Sequence, residues 1–200
     1  METEKDKIFL EKLKTLEILH QKYDNCQHCP LAKLGRKNVV FGEGNPDAKL
    51  IFLGEAPGEK EDTLCKPFVG RSGQLLTKIL EQAGLKREDV FITNVVKCRP
   101  PNNRAPKEEE ILTCTKLLLF NQISIIEPKI ICTLGMIPTK ALLGPKINNL
   151  PIKITEIHGK VFKKENFIIM PTYHPAYILR NNRELQKFTN DIILAKNLSI

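Results

Sequence analysis

Nothing in this chain approaches the roughly 18 consecutive apolar residues that a membrane-spanning helix needs, so the sequence offers no transmembrane helix. It has no low-complexity stretch and no internal repeat, which excludes solenoid and fibrous architectures. Its first residues, METEKDK, are too charged for a secretory signal. The expected compartment is the cytoplasm, where disulfides are rare and grouped cysteines more often bind metal or do chemistry. Acidic residues are also in short supply. Against 31 Lys and Arg there are 23 Asp and Glu, a net charge of +8, and most of the excess falls in residues 101–200. That balance favours an anionic partner, most commonly nucleic acid.

What is present is ordinary for a globular chain: 200 residues, 42% hydrophobic and 27% charged, enough for one domain with a sizeable core. Residues 3–22 carry Phe9, Leu13, Leu16, Leu19 and Tyr23 at helical spacing. Four short apolar runs rich in β-formers read as buried strands: 49–53, 89–96, 129–134 and 166–172. Helices are expected between them, over about 75–83, from Pro106 to about Glu127, over 136–143 and finally over 183–197. Residues 151–163 read as a hairpin turning at His158-Gly159. Strands alternating with helices imply a three-layer α/β/α fold around a mainly parallel sheet.

The most informative stretch is Gly54 to Gly73, GEAPGEKEDTLCKPFVGRSG, a strand-to-helix connection several times the usual length, with Ser72 available to cap the following helix. Pro57, Gly58, Pro67 and Gly70 fix its backbone, and Phe68 is its single large aromatic. In a parallel sheet, ligands bind beyond the carboxyl ends of the strands. Three polar residues fall at those ends: Glu55 after KLIFLG, Asn94 in FITNVV and His174 after IIMPTY. Each has an ordinary explanation alone; their convergence at one sheet edge points to a site.

Of six cysteines, Cys132 lies within a core strand and Cys65 in the long loop. Cys26 and Cys29 form a C-x2-C pair, and Cys98 and Cys114 are separated by fifteen residues. Four thiolates suit structural zinc or an iron–sulfur cluster. The wide second pair is unlike a zinc ribbon and tilts the reading toward iron–sulfur.

With GEAPGEKED (54–62), PFVGRSGQLL (67–76), ITNVVKCRPPNNR (92–104), the cysteine spacing and HPAYILR (174–180), the chain resembles the family 4 uracil-DNA glycosylases over nearly its whole length. The resemblance implies a central four-stranded parallel sheet, a single domain over 1–200, and a [4Fe-4S] cluster held by Cys26, Cys29, Cys98 and Cys114 in a lobe built from 22–36 and 97–115. It implies a monomeric enzyme that acts on uracil-containing DNA, hydrolyses the uracil–deoxyribose bond and leaves an abasic site. Phe68 then matches the stacking aromatic, Asn94 the residue that reads the uracil edge, and His174 the donor to uracil O2. Glu55 takes the motif's acidic position, backbone around Ala56 and Pro57 assists, and Glu61 joins the wall that excludes thymine. HPAYILR is expected to be a loop that enters the duplex, with Ile178 or Leu179 as wedge and Arg180 on a phosphate. Lys97, Arg99, Arg104 and Arg71 are candidates for further backbone contacts. One departure is visible: Cys65 stands where a small residue such as glycine is expected.

Overall fold

A computed structural model describes residues 3–147, 150–164 and 166–200. The first helix, α1 (Glu4–Tyr23), begins at a capping box in which Thr3 and Asp6 satisfy each other's backbone amides. After it come β1 (Glu43–Gly44), β2 (Leu50–Gly54), a short α2 (Glu59–Leu64), α3 (Arg71–Gln82) and β3 (Phe91–Asn94). Then α4 (Glu108–Cys114) runs through a π-helical turn (Thr115–Leu119) into α5 (Phe120–Ile126), followed by β4 (Ile130–Leu134) and α6 (Met136–Leu143). A two-residue pair, β5 (Lys146–Ile147) and β6 (Leu150–Pro151), precedes α7 (Ile154–Ile157), β7 (Phe162–Lys163) and β8 (Ile168–Thr172). The chain closes with α8 (Pro175–Arg180) and α9 (Leu185–Ser199).

The main sheet has the order β1-β3-β2-β4-β8-β7. Its four central strands are parallel, as expected, and two short antiparallel strands extend the edges to six. β2 is buried along its whole length because the sheet is covered on both faces. Alternation along it divides the core: Ile51 and Leu53 pack with Leu16 of α1 and Leu118 and Leu119 of the π turn, whereas Leu50 and Phe52 pack with Leu76 and Leu80 of α3 and Phe188 and Ile192 of α9. Three layers result. The chain leaves β2 toward β3 and returns past it to β4, so β2 carries the reversal of direction where open α/β sheets bind ligands.

Four sequence readings change. Residues 151–163 are not a hairpin: α7 interrupts them, and β7 pairs with β8. The 54–73 segment is not loop throughout, since Glu59–Leu64 is helical. Gly70 rather than Ser72 caps α3, because Glu61 already takes the amides of Val69 and Gly70, and the helix starts two residues early. HPAYILR is not a loop either: His174 caps α8 with its ring, and Pro175 takes the first helical position, where a missing N–H costs nothing. On α1, Leu16 and Tyr23 are buried but Phe9 lies on the exposed face.

Candidate active site

Parallel pairing sets Gly54 opposite Asn94 at the ends of β2 and β3. β8 ends two residues before His174 on the far side of β4. Beyond these ends opens a cleft of about 610 Å³ lined by Glu55, Ala56, Pro57, Glu61, Phe68, Asn94 and His174. All seven residues expected to meet the base are therefore brought together. Gly54 is required for this: a Cβ there would sit 2.4 Å from both Asn94 Oδ1 and Phe68 Cζ.

Phe68 holds a left-handed backbone (φ 52°), uncommon for a bulky residue, so its surroundings must impose it. Arg87 does much of this work. Its guanidinium donates to the carbonyls of Pro67 (2.7 Å) and Phe68 (3.1 Å) while paired with Glu43 at 2.6 Å. From the other side Glu61 Oε1 accepts from Val69 N (2.9 Å) and Gly70 N (2.7 Å). The ring is thereby held beside that of His174, centroids 6.0 Å apart.

Asn94 is 1% exposed, and its Oδ1 has no hydrogen-bond partner among the described residues. Such an orphan acceptor costs roughly 1–3 kcal/mol if left dry. His174 Nδ1 accepts the N–H of Ala176 at 3.1 Å, so the neutral ring carries its proton on Nε2. Burial, helped by nearby Arg180, lowers its pKa to about 4. The imidazole is thus an uncharged donor at neutral pH. Two carboxylates share the cleft. Glu61 is committed to the loop amides, whereas burial alone acts on Glu55, raising its pKa above the ordinary 4.5.

The profile of the Uracil DNA glycosylase superfamily matches residues 41–194. The chain is 45% identical over 189 residues to the type-4 uracil-DNA glycosylase of Thermotoga maritima, covering 91% of this chain and 93% of that protein. Identity is 44% to the enzyme of the same name from Sulfurisphaera tokodaii (93% of this chain, 86% of that one) and 48% to that from Saccharolobus solfataricus (83% and 78%). The chain belongs to the type-4 uracil-DNA glycosylases.

The remaining residues singled out in the sequence are placed less uniformly. Leu179 is 45% exposed, but Ile178 is buried in the core against the α3 side of the sheet and presents no surface for a duplex. Arg180 lines the cleft mouth. Arg104 lines it too, with its guanidinium bound to the fully buried Glu110 carboxylate at 2.7 and 2.9 Å. Arg99 bonds Asn103 (2.8 Å) and pairs with Glu59 (3.7 Å), bracing the 97–104 loop against α2. Asn102 and Asn103 of that loop both have positive φ. Arg71 is exposed on the first turn of α3, outside the cleft lining.

Lys97 is not a surface cation at all. It is fully buried, and burial pushes its pKa down to about 7. Cys65 lies outside the cleft lining and ends α2 in a left-handed conformation (φ 53°), which explains why glycine would be at home there. Tyr177, stacked on Tyr173 at 5.4 Å, and Asn103 also line the cleft. Arg87 has no motif that announces it, because its role depends on carbonyls twenty residues away.

Gly54→Ala should force Asn94 and Phe68 apart. We expect it to cost about 1–3 kcal/mol in denaturant unfolding, as overpacked cores do, and to show a displaced Phe68 ring in a crystal structure; an unmoved ring would refute the packing argument.

Proposed function

We propose that this protein excises uracil from DNA, releasing the free base and leaving an abasic site. The observation that carries this reading is the buried, unpartnered Oδ1 of Asn94, facing a cleft walled by Phe68 and by a histidine whose free nitrogen bears its proton. Uracil offers N3–H as a donor between two carbonyl acceptors. Asn94 Oδ1 accepts from N3–H and its NH2 donates to O4. Cytosine presents an acceptor at N3 and an amine in place of O4, and so mismatches both. Thymine differs only by its methyl, which must clear a wall that includes Glu61.

A base inside a duplex is out of reach, so the nucleotide must leave the stack and be read between an aromatic face and polar groups. Phe68 supplies that face. Leu179 is the exposed apolar side chain suited to fill the vacated space, and Arg180 is placed for a phosphate. Arg71 and the outer edges of Arg99 and Arg104 add sequence-independent attraction that weakens with salt.

As the C1′–N1 bond breaks, its electron pair leaves with the base. His174 donates Nε2–H to O2, where that negative charge gathers, and a neutral imidazole does so without yielding its proton. Positive character on the sugar faces Glu55. Its carboxylate takes the proton of the water whose oxygen bonds C1′, and the base is finally protonated. Ala56 carries no polar group and Glu61 is clamped by amides, which leaves this task to Glu55.

Among the described residues no group of three or more His, Cys, Asp or Glu side chains closes around a point that would hold one metal ion. The thiols of Cys26, Cys29, Cys98 and Cys114 nevertheless act on one another. Burial pushes Cys98 up to about 12 and Cys114 up to about 11, and their sister thiols add to both. With no metal bound such thiols stay protonated and neutral, and an iron centre would deprotonate and bind them as thiolates. Arg36 beside Cys98 and the Lys97 N–H on Cys114 Sγ (3.3 Å) suit an anionic centre. The four fit a [4Fe-4S] cluster, which when bound would cross-link residues 22–36 to 97–115. We read the enzyme as a cytoplasmic monomer; among the described residues no helix is long and apolar enough to cross a membrane.

Uracil should be released from an oligonucleotide containing one U, and not from a thymine control, with Asn94→Ala and His174→Ala each slowed by at least about 100-fold. A wild type that binds such DNA without releasing uracil would refute the proposal. Because Glu55 must be ionised, kcat/KM should fall with decreasing pH through a pKa above 4.5, and Glu55→Gln should lower the plateau and remove that limb; His174, already neutral, contributes none above about pH 4. Cys98→Ala should lose soluble yield and the absorbance near about 400 nm expected of a cluster.

A further inference from the structure

Among the described residues no carboxylate touches the buried Lys97, and the three acceptors around its Nζ call for the protonated, three-donor form. Its Nζ donates three hydrogen bonds, to Thr93 Oγ1 (2.5 Å), Gln122 Oε1 (2.6 Å) and the carbonyl of Asn94 (2.7 Å), and all three acceptors are neutral. Every other role in the network is fixed by these. The Thr93 hydroxyl, which accepts from Lys97, donates to Phe41 O at 2.9 Å, and Gln122 Nε2 donates to the same oxygen at 2.8 Å, so every one of these polar side-chain groups has a partner. Networks satisfied this completely specify one arrangement of a core. A position that needed only filling would hold leucine or methionine without the several kcal/mol that burying a charge costs.

The backbone of Lys97 extends the network. Its N–H donates to Cys114 Sγ at 3.3 Å, and its carbonyl accepts from Val40 N at 2.7 Å. One residue thus joins the cysteine group to the residue facing the base. The helix carrying Cys114 is shaped to allow it. Eight residues of unbroken α-helix would set Gln122 about 80° around from Cys114. The π turn at Thr115–Leu119 absorbs one residue and returns the two to within about 20°, so both face Lys97.

We propose that Lys97 is a positioning residue for uracil recognition: its buried ammonium holds the backbone of Asn94 from behind so that the side-chain amide meets the uracil edge, and its own amide ties that position to Cys114. This rests on the reading of Asn94 as the uracil-reading residue. It makes the cysteine lobe part of what aims the amide as well as a structural clasp. Lys97 itself is fully buried and lies outside the cleft lining.

The test uses the full-length, cluster-loaded protein on single-uracil DNA, comparing wild type, Asn94→Ala, Lys97→Met, the double variant and Gln122→Met. Methionine keeps the volume and removes the donors. Lys97→Met should lower kcat/KM by about 10–100-fold, as loss of an orienting partner does. Absorbance near 400 nm (about that value for such clusters) and affinity for uracil-free DNA should be unchanged. The Asn94 side-chain NH2 resonance should shift or broaden. The double variant should be no slower than Asn94→Ala alone, since the lysine acts through the asparagine. Full activity in Lys97→Met, additive losses, or loss of the absorbance would each overturn the inference. If Lys97→Met does not fold, Gln122→Met, which removes one acceptor of Lys97 and one donor to Phe41 O outside the cleft lining, must slow excision and move the same resonance; a wild-type-like Gln122→Met refutes the idea. Normal uracil release by Asn94→Ala would instead sink the site reading on which the inference stands.

Discussion

The parallel pairing of β2 with β3 that sets Gly54 against Asn94 is the constraint on which the site depends. A strand end usually presents a side chain. Here the absent side chain of Gly54 leaves the space that the Phe68 ring and the Asn94 amide occupy together. Gly73 repeats the device on the other side of the loop, where a Cβ would lie 2.0 Å from the carbonyl carbon and oxygen of Phe68. The Phe68 ring and the Asn94 amide are therefore close because two glycines let the backbone carry them close, and neither can shift far without meeting the other.

Buried and half-buried charges around this arrangement act chiefly on backbone. Asp62 accepts from the amides of Lys37 and Asn38 at 3.0 Å, Glu61 from those of Val69 and Gly70, Glu110 from Lys107 N, and Arg87 donates to the carbonyls of Pro67 and Phe68. Loops have no ladder to satisfy their amides, and a charged side chain with two or more acceptor or donor positions substitutes for one. That is why a long irregular connection stays in one shape beside the cleft. Burial likewise keeps His174 neutral and raises the Glu55 pKa, so the rigidity of the cleft and the protonation of its side chains share one cause.

Much of this was legible in the chain. Continuous apolar runs at 49–53 and 129–134 announced strands covered on both faces, and Glu55, Asn94 and His174 could be placed at strand ends by counting alone. What misled was local pattern where tertiary contacts decide. The 151–163 segment alternates like a hairpin, yet β7 spends its hydrogen bonds on β8. HPAYILR has the length of a loop, yet His174 and Pro175 together start a helix that turns Ile178 inward and Leu179 outward. Lys97 sits among basic residues of a polar loop, and nothing in KCRPP tells that its side chain folds back beneath β3.

The sequence by itself determined the order of strands and helices, the residue types available at the sheet edge and the membership of the family, because periodicity, punctuation and motif are properties of neighbours along the chain. Only the tertiary structure decided which cations remain at the surface, which ring nitrogen of His174 bears the proton, and that the acceptor of Asn94 is left unpaired. Those depend on burial and on partners such as Gln122, Ala176 and Arg87 supplied by other elements, and the free energy of a buried polar group is set by what surrounds it in space, whatever stands beside it in sequence.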